Sequence, residues 1–128
     1  MTSLNEWRDK CGAAAEANGW HDRWKAISPS AIGNTHDVDE LNDHVVAKTA
    51  LIANEVAEAI EELRNGHNLK EVYYQIDGKP EGYPTELADI IIRSLDMAAM
   101  LGIDINQAVE EKLAFNAHRG KMHGGKRI

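Results

Sequence analysis

The chain carries one cysteine, Cys11, in 128 residues. No internal disulfide can staple the fold, and a reducing compartment is the expectation. No apolar run is long enough to span a bilayer and no N-terminal stretch resembles a signal peptide, so a cytoplasmic protein with no membrane association is expected. Repeats and low-complexity segments are absent as well, and the length suits one domain over 1–128 with a core of its own. The net charge of −7 argues against a general nucleic-acid binder. Acids are missing from one place in particular: none follows Glu111, whereas Lys112, Arg119, Lys121, Lys126 and Arg127 crowd the end. An acidic body with a basic, flexible tail at about 119–128 suits an anionic ligand accompanied by cations.

What is present is mostly helical pattern. Ser3-Leu4-Asn5-Glu6 has the form of a capping box, and Trp7, Cys11 and Ala14 recur at helical spacing up to Gly19. Residues 20–35 read as a loop with one short helical turn around Asp22 to Ile27. From Asp37 or Asp39 a long helix keeps the 3.6-residue period through Leu41, Val45, Thr49, Ile52, Val56, Ile60 and Leu63, and Asn65-Gly66 stops it. Residues 67–84 change character: Val72, Tyr73, Tyr74 and Ile76 favour strand, and Asp77-Gly78 is a hairpin turn signal. Thr85 is the expected cap of the next helix, which Gly102 ends, and Asp104 with Gln107 opens a last helix to about His118. The sum is an all-α, four-helix-type bundle with an irregular or small hairpin insertion.

The helix "ELADIIIRSLDMAAML" poses a chemical problem. Glu86, Asp89, Arg93 and Asp96 fall within an arc of about 80° on a wheel advancing about 100° per residue, and aliphatic residues fill the rest. A helix apolar on most sides is expected to be buried, and buried acids need partners. Arg93 and Asp96 are expected to pair with each other and to orient Asp89. The long helix offers a counterpart in Lys48, Leu51, Glu55, Glu58 and Glu62, a stripe beside the arc of Ile52, Val56, Ala59 and Leu63 that must face the core. Glu-x-x-Glu and Glu-x-x-Asp each set two carboxylates on one helix face. If the two helices pack together, Glu55, Glu58, Glu86 and Asp89 meet, and divalent metal relieves their repulsion. With oxygen donors alone, Mg²⁺ is favoured, Mn²⁺ is a substitute, and Zn²⁺ is not.

Mg²⁺ bound in this way usually shares its coordination with substrate phosphates. On the last helix Lys112, Asn116 and Arg119 line one face and suit phosphate oxygens or a sugar hydroxyl, while Lys121 and Lys126 lie in a glycine-rich cationic flap. Lys48 suits a carboxylate or a phosphate equally. Trp20 and Trp24 offer flat faces for a nucleobase, with core packing as the alternative. His21-Asp22 and His36-Asp37 have no further His/Asp framework around them and are set aside as a phosphohydrolase signature.

From about Lys48 to its end the chain resembles the MazG-like nucleoside triphosphate pyrophosphohydrolases of the all-α NTP pyrophosphatase group. The resemblance rests on Glu55-Val56-Ala57-Glu58, Glu86-Leu87-Ala88-Asp89 and "LGIDINQAVEEKLAFNAHRG", with Lys112, Asn116 and Arg119 where the family has lysine, asparagine and arginine. It implies Mg²⁺ on Glu55, Glu58, Glu86 and Asp89, cleavage of a nucleoside triphosphate to monophosphate and pyrophosphate, and a homodimer or homotetramer. Glu55 or Glu58 is the expected catalytic base, and Arg93 is grouped with the substrate-binding cations. Two other readings stay open: a catalytically silent nucleotide- or metal-binding regulator, and phosphoribosyl-ATP pyrophosphohydrolase. A di-iron bundle would normally add Glu-x-x-His pairs, which the sequence lacks.

Overall fold

The computed structural model describes residues 2–28 and 35–119, with the backbone alone given for 35–37. Lys121, Lys126 and the rest of the basic tail lie outside the described residues. Five helices are present among them, α1 (Leu4–Ala17), α2 (Asp22–Ile27), α3 (Thr35–Arg64), α4 (Tyr83–Leu101) and α5 (Ile105–Ala117), with a hairpin of β1 (Tyr73–Tyr74) and β2 (Pro80–Glu81) between α3 and α4. The fold is all-α, and no described helix is long and apolar enough to cross a membrane.

Local chemistry explains most boundaries. Ser3 Oγ accepts the Glu6 amide at 3.1 Å and opens α1. Asp104 Oδ1 accepts the Gln107 amide at 3.1 Å and opens α5. The two starts are stitched together, since Asn5 Nδ2 donates to Asp104 Oδ1 at 2.9 Å and Asn5 Oδ1 accepts the Ile105 amide at 3.0 Å. The short helix α2 spans the turn expected at Asp22 to Ile27. The hairpin pairs Tyr73 with Glu81 and Tyr74 with Pro80, antiparallel across the Asp77-Gly78 turn.

Two boundaries differ from expectation. The long helix begins at Thr35, before Asp37. The acidic helix begins at Tyr83 with Gly82 as its cap, so Thr85 lies inside the first turn and caps nothing. Proline in the first turn explains the earlier start, because Pro84 has no amide proton to lose there and its fixed φ suits the helix. Gly82 adopts φ 121°, and a Cβ at this position would overlap the Glu71 carbonyl.

The helix α4 is the centre of the molecule, packed on one side against α3 and on the other against α1, while α5 rests on α1. The α1–α4 crossing is close: a Cβ added to Gly12 would stand 2.5 Å from Ala99 Cβ. Ile27, Ala59, Leu95, Ala98 and Met100 form the buried core. Val56 and Leu63, expected to face it, are exposed along with Val46 and Ile60. The physical reason is that α4 covers one side of α3 and the described chain offers nothing for the adjoining side.

Candidate metal centre and adjoining cleft

The packing of α3 on α4 brings the two acidic stripes together. Carboxylate oxygens of Glu55, Glu86 and Asp89 lie within 4.8 Å of one another. Glu58 does not join them; its side chain stands on the exposed flank of α3. Its charge still reaches the cluster and helps to raise Glu86. Burial, followed by Asp89, Glu55, Glu58 and Glu81, pushes the Glu86 carboxyl up to about 7. Burial and Glu55 likewise raise Asp89, against the opposing pull of Arg93 and Lys79.

Arg93 is the cation at this cluster, but its partner is not the expected one. Its Nε donates to Glu55 Oε1 across the helix interface. Asp96 turns elsewhere: its Oδ1 lies 2.6 Å from His21 Nε2. The expected intrahelical Arg93–Asp96 pair thus gives way to two contacts with other elements, Glu55 on α3 and His21 in the turn after α1. The residue that sequence reasoning missed is His21, set aside as half of a chance dipeptide. Its burial is the signal that matters, and that signal is tertiary.

A second carboxylate group shares Glu86. Oxygens of Glu62, Glu81 and Glu86 also lie within 4.8 Å of one another. Here the protein supplies its own partners, since Tyr73 Oη donates to both oxygens of Glu62 at 3.0 and 3.1 Å and Lys79 Nζ pairs with Glu81 at 2.9 Å. Glu86 accepts no side-chain hydrogen bond from the described residues, although it is 7% exposed.

Beside the first cluster a cleft of about 820 Å³ opens between α1 and α4, with one edge on α3. Its polar lining includes Glu55, Asp89, Arg93 and Asp96, and Trp7 and Trp20 also border it. Both tryptophans keep about half their surface exposed, at 48% and 58%. Trp24 is not in the cleft; it stacks on His44 at a centroid distance of 6.3 Å. Lys48 also lines the cleft, where its Nζ donates to the Trp20 carbonyl at 2.7 Å and lies over the Trp20 ring. Lys112, Asn116 and Arg119 are on α5, outside the cleft lining, and Lys112 and Arg119 both lie over the Phe115 ring.

The residues present fit a hard divalent cation. Three oxygen donors converge, the middle one is buried and accepts no side-chain hydrogen bond from the described residues, and one arginine faces three potential negative charges. Comparison with known proteins adds one segment of likeness. Over 36 residues the chain is 47% identical to the dATP/dGTP diphosphohydrolase of Cyanophage S-2L, covering 28% of this chain and 34% of the relative. The chain therefore matches about a third of that relative's length. No family model matches the chain, and no solved structure matches it.

Proposed function

We propose that the chain is a divalent-metal-dependent nucleoside triphosphate pyrophosphohydrolase. The observation that carries this reading is the convergence of Glu55, Glu86 and Asp89, with the Glu86 carboxylate buried and accepting no side-chain hydrogen bond from the described residues. The short likeness to a nucleotide diphosphohydrolase supports the same chemistry. Glu55, Glu86 and Asp89 would hold the ion, Mg²⁺ by the hardness of the donors, with Mn²⁺ as a substitute. Bound there, it would supply charge neutralisation for the phosphates and a lowered pKa for water.

The chain's own residues do the rest. Glu86 and Asp89 fix the position of the triphosphate end, and both need to be ionised to do so. Arg93, whose partner Glu55 would also hold the ion, would meet phosphate charge from the same side of α4. Glu58 stands one turn from Glu55 and open to solvent, where a carboxylate can accept the proton of an attacking water. Lys112, Asn116 and Arg119 add to the site once a second copy covers the apolar flank of α3 left by Val46, Val56 and Ile60, which is the support for a homo-oligomer.

A panel of ribo- and deoxynucleoside triphosphates with Mg²⁺ and pyrophosphate detection tests the proposal. Pyrophosphate with the matching monophosphate is the expected product. Orthophosphate instead, or nucleotide binding without turnover, overturns it, the latter selecting a silent regulator. Light scattering across a concentration series tests the oligomer.

A further inference from the structure

Asp96 and His21 play no part in the chemistry above, yet they form a part-buried pair, with Asp96 on the wall of the same cleft and His21 behind it. His21 has an 8% exposed side chain and Asp96 an 18% exposed one, with 2.6 Å between Nε2 and Oδ1. We propose that this pair makes Asp96 a base-reading residue, and that it selects a guanine-type purine. The inference rests on the reading of Glu55, Glu86 and Asp89 as the phosphate end of the site.

The cleft has the shape for it. Asp89, Arg93 and Asp96 line it from α4, and the seven residues from Asp89 to Asp96 rise about 10.5 Å along the helix. That is the scale of a nucleotide from its phosphates to the far edge of its base. Between those ends the walls are Ala14, Ala15, Ile92 and Leu95, apolar surface suited to a ring system. Trp7 and Trp20, half exposed, give flat faces on which any base can stack, so they carry no selectivity.

Selectivity comes from Asp96. An ionised carboxylate only accepts hydrogen bonds and has about four lone-pair sites. His21 occupies one oxygen and fixes the orientation of the group. The remaining capacity faces a cleft with apolar walls, where an unmet acceptor is costly. Among the common bases only guanine shows two adjacent donors, N1–H and the 2-amino group, on its pairing edge. Adenine and cytosine set an acceptor nitrogen beside their amino group, and uracil flanks its one N–H with carbonyls. Each of these meets the carboxylate with lone pair against lone pair.

A bidentate contact of this kind discriminates by about 10- to 100-fold. Two measurements test it. In the first, the wild-type chain, Asp96→Asn and His21→Asn are compared for kcat/KM with GTP, ITP and ATP, with circular dichroism confirming the helical signal. Wild type should prefer GTP to ATP by about 10- to 100-fold, with ITP between them because it lacks the 2-amino donor. Asp96→Asn, which presents one donor and one acceptor, should shift the preference toward ATP. His21→Asn should narrow the GTP-to-ATP ratio while the carboxylate persists.

In the second, quenching of tryptophan fluorescence is titrated with GMP and AMP in the absence of metal. Tighter GMP binding that Asp96→Asn loses is expected. Equal quenching by GMP and AMP, no quenching by either, or an unchanged ratio in Asp96→Asn overturns the inference, even where pyrophosphate is released. Loss of pyrophosphate release with a retained GMP preference overturns the hydrolase reading alone.

Discussion

Arg93 Nε donates to Glu55 Oε1, so a guanidinium on α4 holds a carboxylate of α3 at the edge of the acidic cluster. The arginine serves as the internal counter-ion of the metal-free chain. Arg93→Gln should therefore destabilise the metal-free protein by about 1 kcal/mol, a modest figure because the arginine is 42% exposed. Saturating Mg²⁺ should remove most of that deficit, and urea unfolding with and without the ion measures both.

Glu86 gives a pH dependence of definite sign. Its folded carboxyl is raised from 4.5 to about 7, so the folded state holds a proton that the unfolded state has released. Stability from this group is fully present below the unfolded value and is lost as pH rises through about 7. In EDTA the chain should lose on the order of 2 kcal/mol between the low and high ends of that window. Glu86→Gln should flatten this slope and raise the Tm of the metal-free protein at pH 8, while abolishing turnover. A steep loss that survives in Glu86→Gln would assign the effect to another group.

Glu58 and Asp89 should separate by two readouts. Asp89→Asn removes a converging ligand, so both Mg²⁺-induced thermal stabilisation and pyrophosphate release should vanish. Glu58→Gln leaves the converging oxygens of Glu55, Glu86 and Asp89 in place and should keep the thermal shift. Its kcat should nevertheless fall by about 10²- to 10⁴-fold, as expected for a lost proton acceptor. Loss of the thermal shift in Glu58→Gln would make that residue a ligand.

Gly12 tests the frame that carries the cleft. A Cβ there would meet Ala99 Cβ at 2.5 Å, so Gly12→Ala should force α1 away from α4 and cost about 1–3 kcal/mol. The double variant with Ala99→Gly should recover part of the loss. Equal stability of Gly12→Ala and wild type would show that the two helices slide apart without strain.

Legibility in the sequence follows how local each cause is. The caps at Ser3 and Asp104 and the turn at Asp77-Gly78 depend on neighbours a few residues away, and all form where the pattern puts them. The acidic pairs were legible for the same reason, since i,i+3 spacing decides which residues share a helix face. Which members meet is a matter of helix rotation, so Glu55 enters the cluster and Glu58 stays outside it. The Lys48 contact depended on where the turn after α1 ends, because the Trp20 carbonyl accepts one of its hydrogen bonds. Glu62 read as part of the stripe beside the core-facing arc, and the fold-over of the hairpin, with Tyr73 donating to it, accounts for its burial.

Glu86 belongs to both carboxylate groups, and this couples two places that never touch. Glu55, Glu86 and Asp89 would hold a cation whose charge would lower the negative potential felt at Glu62 and Glu81. Tyr73, whose phenol is held up by burial and by Glu62, would then ionise more easily. The hairpin would thereby act as a built-in indicator: the alkaline ultraviolet titration of Tyr73, isolated with Tyr74→Phe as the background, should shift when the neighbouring cluster is loaded.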